Sequence, residues 1–228
     1  TWVIAGDGCL MEGINHEAIG LAGHLGLGRL TVLWDDNKIT IDGSTDLSTS
    51  EDIPARYAAT GWHVESCDGH DPADIRRAID AALADPRPSL IACRTIIGFG
   101  APNKQGTSAT HGAPLGADEI AAARKELGWT AEPFVIPADI ASAWAVFGEK
   151  GKALHADWNG RLANHEKKKE FADRLSAKVV PGDAFKAYLD GLVAEPPKVA
   201  TRKASENTLG ALTADIAALI GGSADLTG

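Results

Sequence analysis

Apolar and polar positions along the first hundred residues alternate between two periods. Residues 2–5, Trp-Val-Ile-Ala, form a short continuous apolar run, which predicts a buried strand. After a Gly-Asp-Gly turn, Ile14, Ala18, Leu21, Ala22 and Leu25 recur at helical spacing, predicting a helix over 11–25 that Gly26 and Gly28 stop. A second apolar run at 30–34 predicts another strand, followed by a polar loop over 35–50. A short helix over 51–60 would carry Pro54 in its first turn. A strand over 62–67, a helix over 72–83 and a strand over 89–95 complete this region, with Asp71 as N-cap and Pro72 at the first helical position.

The stretch 98–115 is rich in Gly, Pro, Asn, Ser and Thr and predicts a long loop, with His111 near its end. A helix over 117–127 follows. Residues 140–180 read as mostly helical, with Trp144, Trp158 and Leu162 as apolar anchors and Lys167-Lys168-Lys169 as a solvated face. Glu195-Pro196-Pro197-Lys198 breaks the pattern. Leu209, Leu212, Ile216, Leu219 and Ile220 then predict a last amphipathic helix closed by Gly221-Gly222. Strands alternating with helices through short loops imply an α/β fold, a mainly parallel sheet flanked by helices, followed by a helical linker. Ligands on such sheets sit beyond the carboxyl ends of the strands. Those ends carry Gly6-Asp7-Gly8 and Asp35-Asp36-Asn37.

Composition narrows the partners. Of 228 residues, 44% are hydrophobic and 23% charged, as in an ordinary globular chain. The formal charge of −9 argues against nucleic acid or an anionic membrane as partner, so a phosphorylated ligand needs a local positive site. Three cysteines without CxxC spacing fit a reducing, cytoplasmic setting rather than a disulfide framework. Thr1 opens directly onto an apolar run, and Gly221 to Gly228 stop where another strand would begin; both ends read as cuts through folded structure.

The chemistry lies in the two strand ends. Gly-Asp-Gly alone reads as a tight turn with Asp7 capping a helix. Asn37, thirty residues beyond Asp7 at the end of the next predicted strand, changes that. Adjacent parallel strands bring the two side by side. A carboxylate, an amide oxygen and a nearby backbone carbonyl make the all-oxygen site that Mg²⁺ favours when phosphates complete its shell. The glycines let a phosphate approach the backbone, and a helix starting there favours an anion.

Gly6-Asp7-Gly8 followed by Asn37 is similar to the thiamine diphosphate signature, with Asp36-Asn37 where that signature has an asparagine pair. Gly-Asp-Gly-Cys-Leu-Met-Glu-Gly-Ile (6–14) with Trp-Asp-Asp-Asn-Lys-Ile-Thr-Ile-Asp-Gly (34–43) resembles the transketolase family in particular. This resemblance implies that Asp7, Asn37 and the Ile39 carbonyl hold Mg²⁺, with Ca²⁺ or Mn²⁺ able to substitute. It implies that Gly6, Gly8 and Asn37 meet the cofactor diphosphate. Glu12 and Glu17 read either as helix residues favourable to the dipole or, by resemblance, as dimer-interface glutamates, with Glu12 the stronger catalytic candidate.

His111 alone would be a solvated loop residue. Ile-Ile-Gly-Phe-Gly (96–100) with Thr-His-Gly-Ala-Pro-Leu (110–115) resembles the family's active-site loop, which implies contacts of His111 with cofactor and donor sugar and a role in proton movement. Arg202, in Ala-Thr-Arg-Lys-Ala-Ser-Glu-Asn (200–207), reads as a surface arginine or, by resemblance, as the sugar-phosphate contact beside a helix N-terminus. Gly-Gly-Ser-Ala-Asp-Leu-Thr (221–227) is also similar to the family and implies Asp225 near the cofactor.

The resemblance covers the chain in order, implying the later part of a diphosphate-binding domain over 1–165, a linker over 166–197 and the start of a pyrimidine-binding domain over 198–228. It implies a homodimer acting on sugar phosphates, transferring a two-carbon ketol unit from xylulose 5-phosphate to ribose 5-phosphate or erythrose 4-phosphate. Dihydroxyacetone synthase and a non-catalytic protein of the same fold are the alternatives. A nucleotide-binding α/β domain is disfavoured, because no GxGxxG follows the first strand.

Overall fold

The structure is a computed structural model that describes residues 1–176 and 180–222. The chain divides into two compact units, Thr1–Val135 and Ile136–Gly228.

The first unit is built on a four-stranded parallel sheet of β1 (Trp2–Gly6), β2 (Thr31–Asp36), β5 (His63–Asp68) and β6 (Ser89–Arg94). A small hairpin, β3 (Ile39–Thr40) and β4 (Gly43–Ser44), stands apart from it. The sheet order is β1-β2-β6-β5. Five helices accompany it: α1 (Asp7–Met11), α2 (Gly13–His24), α3 (Ile53–Ala59), α4 (Pro72–Ala84) and α5 (Ala117–Glu126). The parallel α/β class expected from periodicity is the class observed.

Register explains the core. Val3, Val32 and Leu90 lie in one row, and Ala5, Trp34 and Ala92 in the next, on the same sheet face. Ile19 and Ala22 of α2 and Ile53 and Tyr57 of α3 close over this face. Trp62 locks the layer: its indole N–H donates to the Ile19 carbonyl at 2.9 Å, and its ring meets Tyr57 edge-on. On the other face α4 packs on β5 and β6, with Ala78 and Ala82 against Ile91 and Cys67. Asp71 caps α4 by accepting the Ala73 N–H at 2.9 Å, with Pro72 at its start.

The buried strand expected at 2–5 is largely exposed: only Ala5 is buried, and Ile4 is 83% exposed. Ile4 registers with Leu33 on the face that α4 covers over β5 and β6 only, and β1 is an edge of the described sheet. The helix expected over 11–25 is α2, starting at Gly13; a separate short helix, α1, precedes it, and extended Glu12 divides the two. The Leu10 carbonyl, which a continuous helix would bond, instead accepts from the Arg56 guanidinium at 3.0 Å and the Asn15 amide at 3.1 Å.

The second unit contains α6 (Ala138–Ala163), α7 (Lys168–Leu175), α8 (Asp183–Ala194) and α9 (Thr201–Asp215). No described residue in it is buried, so Trp144 and Trp158 do not anchor a core as expected; Trp144 is 71% exposed. Residues 140–180, expected to be mostly helical, hold α6 and α7 with an interruption after Ala163, and α8 falls in the stretch expected as a helical linker. The Pro-Pro breaker connects α8 to α9, which pack together through a Tyr188–Thr208 hydroxyl contact of 3.0 Å. The last helix stops at Asp215, short of Leu219 and Ile220. There the Asp215 carboxylate accepts the Phe185 N–H at the start of α8 at 2.8 Å, and Ile216 leaves the helical conformation.

Candidate active site

The carboxyl ends of β1 and β2 are adjacent, with Gly6 registered against Asp35. β1 passes directly into α1, so Asp7 stands at the strand end and is almost fully buried, 7% exposed. β2 ends at Asp36, and Asn37 follows it. Lys38 then adopts a left-handed conformation, φ 64°, an uncommon choice for a residue with a Cβ. That turn aims its N–H back at Asp7, which accepts it through Oδ2 at 3.1 Å.

The side chains around this turn hold one another. The Asn37 amide donates to Asp35 Oδ2 at 3.1 Å, and its Oδ1 accepts the Ile39 N–H at 2.9 Å. The Thr95 hydroxyl donates to Asp35 Oδ1. Lys38 Nζ pairs with Asp36 at 2.8 Å. Asn37 Oδ1 thus spends one lone pair on backbone and keeps the other for a ligand. Burial raises the Asp7 carboxyl above its ordinary range, and the Asp36 charge adds to this; the Lys38 N–H and ammonium partly offset both. A cation bound at Asp7 would reverse that shift.

A cleft of about 610 Å³ opens over these residues. Gly6, Asp7, Gly8, Asn37, Ile39 and His111 all line it, so six of the sequence candidates converge there. Gly6 and Gly8 leave open space where a Cβ would stand. Glu12 does not line it: it is exposed at the break between α1 and α2. Arg202 lies in the second unit, exposed at the second position of α9, and Asp225 lies outside the described residues.

His111 reaches the cleft through an ordered loop. His70 Nε2 accepts the Ile96 N–H at 2.9 Å and its ring stacks on Phe99 at 4.1 Å, fixing the loop's start. Gly98 has φ +66°, and a Cβ there would stand 2.6 Å from the Thr110 methyl, so this close approach requires glycine. Buried Glu119 of α5 accepts the N–H groups of Asn103 and Lys104 at 2.8 and 3.1 Å and the Asn103 amide at 2.9 Å. These bonds hold its carboxyl below the usual range, the Asn103 side chain contributing most. Sequence reasoning missed Glu119, Thr95 and Cys9, the last of which also lines the cleft. Thr95 carried one signal, its place directly after a strand beside Asp35.

The donor set suits a hard cation carrying an anion. Among the described residues no lysine or arginine lines the cleft, whereas Asp7, Asp35 and Asp42 do. A diphosphate would enter such walls only with a divalent ion to neutralise it. No group of three His, Cys, Asp or Glu among the described residues could hold a metal, so the ion would rest on the mixed set of Asp7, Asn37 and a backbone carbonyl.

Comparison with known proteins agrees with this chemistry. The family model described as transketolase, thiamine diphosphate binding domain, matches residues 1–183. A transketolase of Cereibacter sphaeroides is 58% identical over 230 residues, covering 100% of this chain and 35% of its own length. The solved transketolase of Leishmania mexicana superposes with a TM-score of 0.84 at 38% identity, covering 100% of this chain and 34% of that one. A Pichia stipitis transketolase complex with sedoheptulose 7-phosphate gives a TM-score of 0.80 at 38% identity, with the same coverage. The chain thus spans about a third of the length of these relatives. By family match, fold and sequence identity, the chain belongs to the transketolase thiamine diphosphate-binding domain family.

Proposed function

We propose that this chain supplies the diphosphate- and metal-holding half of a transketolase active site. The enzyme would move a two-carbon ketol unit from a ketose phosphate such as xylulose 5-phosphate to an aldose phosphate such as ribose 5-phosphate or erythrose 4-phosphate. The observation that supports it most is the meeting of Asp7, Asn37, Ile39 and His111 around one cleft without a basic wall. Family membership supports the cofactor, and the sugar phosphate bound by the Pichia stipitis relative supports the substrate class.

In this reading the Asp7 carboxylate, Asn37 Oδ1 and the Ile39 carbonyl hold Mg²⁺, or Ca²⁺ or Mn²⁺ in its place. Gly6 and Gly8 admit the diphosphate to the backbone. Bound thiamine diphosphate supplies the nucleophilic carbon and the electron sink for cleaving the ketose C2–C3 bond. The His111 imidazole donates to a phosphate oxygen and moves a proton at the sugar. Arg202 takes the sugar phosphate through its guanidinium fork, and Asp225 approaches the cofactor. Glu12, exposed at its helix break, faces the partner in a cytoplasmic homodimer. The family-based division of the chain at 165 and 197 belongs to the same reading. The 228 residues alone would be inactive.

The test is a coupled ketol-transfer assay on the full-length protein with xylulose 5-phosphate and ribose 5-phosphate. Activity that requires both thiamine diphosphate and Mg²⁺ and is lost in Asp7→Ala supports the reading. A folded, cofactor-bound protein that transfers only to formaldehyde would instead be a dihydroxyacetone synthase.

A further inference from the structure

Trp34 sits one residue before Asp35 in β2 and is 2% exposed. Its indole N–H has no acceptor among the described protein groups, in contrast to Trp62, whose N–H is bonded to Ile19. Buried donors in native proteins nearly always find a partner, in protein or in ordered water. The Lys38 ammonium lies 5.0 Å over the Trp34 ring and is itself a donor, so it cannot serve.

Trp34 lines a cavity of about 200 Å³, distinct from the cleft described above. Its walls are polar: Asp7, Lys38, Thr45, Thr49, Ser50 and Glu51 contribute. A water needs roughly 30 Å³ and two to four polar partners, so this cavity has room and bonding for several. Asp7 is shared, lining both the cavity and the cleft. Trp34 and Asp7 thus stand on the wall of one polar cavity.

We propose that ordered water in this cavity accepts the Trp34 indole proton and donates to the Asp7 carboxylate, making Trp34 a positioning residue for the metal ligand. The inference rests on the reading of Asp7 as that ligand. The Lys38 N–H holds the Asp7 carboxylate at Oδ2, and a second bond would fix it further. Water held at its back fixes its rotamer and leaves the cleft-facing lone pairs for the ion, and outer partners of this kind commonly set metal affinity.

The experiment uses the full-length protein with saturating thiamine diphosphate, reading Mn²⁺ affinity from the free-ion paramagnetic signal. Two analogues of equal shape separate the N–H from the ring. Trp34→5-fluorotryptophan keeps the donor, and Trp34→benzothienylalanine replaces it with sulfur. The expected result is wild-type affinity for the first and roughly tenfold weaker binding for the second. Unchanged Mn²⁺ affinity in the benzothienyl protein, or equal weakening in both, overturns the proposal. Asp7→Ala separates the two levels. If it leaves Mn²⁺ binding intact, the metal reading fails and this inference with it. If it abolishes binding while the benzothienyl protein binds normally, only the role of Trp34 falls.

Discussion

The backbone N–H of Lys38 donates to Asp7 Oδ2 at 3.1 Å, joining two turns that lie 31 positions apart in the chain. Two adjacent parallel strands deliver the partners, and the left-handed turn at Lys38 aims the bond. The carboxylate is therefore fixed from the neighbouring strand's loop, as the cleft requires.

Removing that carboxylate tests the cleft directly. Asp7→Ala in the full-length protein should abolish metal-dependent retention of thiamine diphosphate, weakening it by about 100-fold or more, while the sheet persists. Calorimetric titration with and without Mg²⁺ checks this. Undiminished binding would remove Asp7 from the site.

Asp35 touches the amide of Asn37 and the hydroxyl of Thr95 and so orients Asn37. Asp35→Ala should weaken cofactor retention by roughly 10- to 100-fold, the usual effect of losing a partner of a metal ligand. Thr95→Val should act in the same direction and less strongly. Equilibrium dialysis against the labelled cofactor gives the ratio.

Glu119 ties the loop that carries His111, and its depressed pKa fixes the sign of a pH effect. A carboxyl lowered in the folded state stabilises above its unfolded pKa, and that stabilisation is lost as pH falls through the folded value. Amide exchange at Asn103 and Lys104 should be slow at neutral pH and lose protection on acidification below the ordinary glutamate range. Glu119→Ala should lack that protection at every pH. Equal protection in both proteins would show that the loop is held otherwise.

Three glycines divide by their surroundings. A Cβ at Gly23 would stand 1.8 Å from the Thr60 carbonyl oxygen, and one at Gly28 would stand 2.1 Å from that of Pro86. Both Gly→Ala changes should cost about 1–3 kcal/mol or more. Gly148 in α6 faces open space, and Gly148→Ala should stabilise by up to about 1 kcal/mol. Denaturant midpoints on the full-length protein would check all three.

The cysteines should differ in reactivity. Cys9 is exposed and lines the cleft, whereas burial pushes the Cys67 thiol up and the Cys93 thiol up to about 12. Iodoacetamide at pH 8 should label Cys9 first, with thiamine diphosphate and Mg²⁺ slowing it. Peptide mapping reads the order.

Much of the first unit was legible because local signals and burial agree there. Asp71-Pro72 announced α4, and the apolar runs at β2 and β6 are buried as their composition suggests. Six candidates converge on the cleft because their places at strand ends and loop tips follow from topology. The short helix α1 before Glu12 was not legible; the Leu10 carbonyl at its end is taken by Arg56, a residue of α3. Nor was the end of α9, where Asp215 serves a different helix. Trp144 misled because its apolar surface suggested a core that α6 does not form.

The outer edge of β1 has a practical consequence. On the side away from β2 its peptide groups are unpaired within the described sheet, and Trp2 and Ile4 lie bare beside them. Such an edge is a template for strand addition. Produced by itself at high concentration, a polypeptide of this sequence would stack on its own copies and precipitate. Ile4→Lys should delay that precipitation.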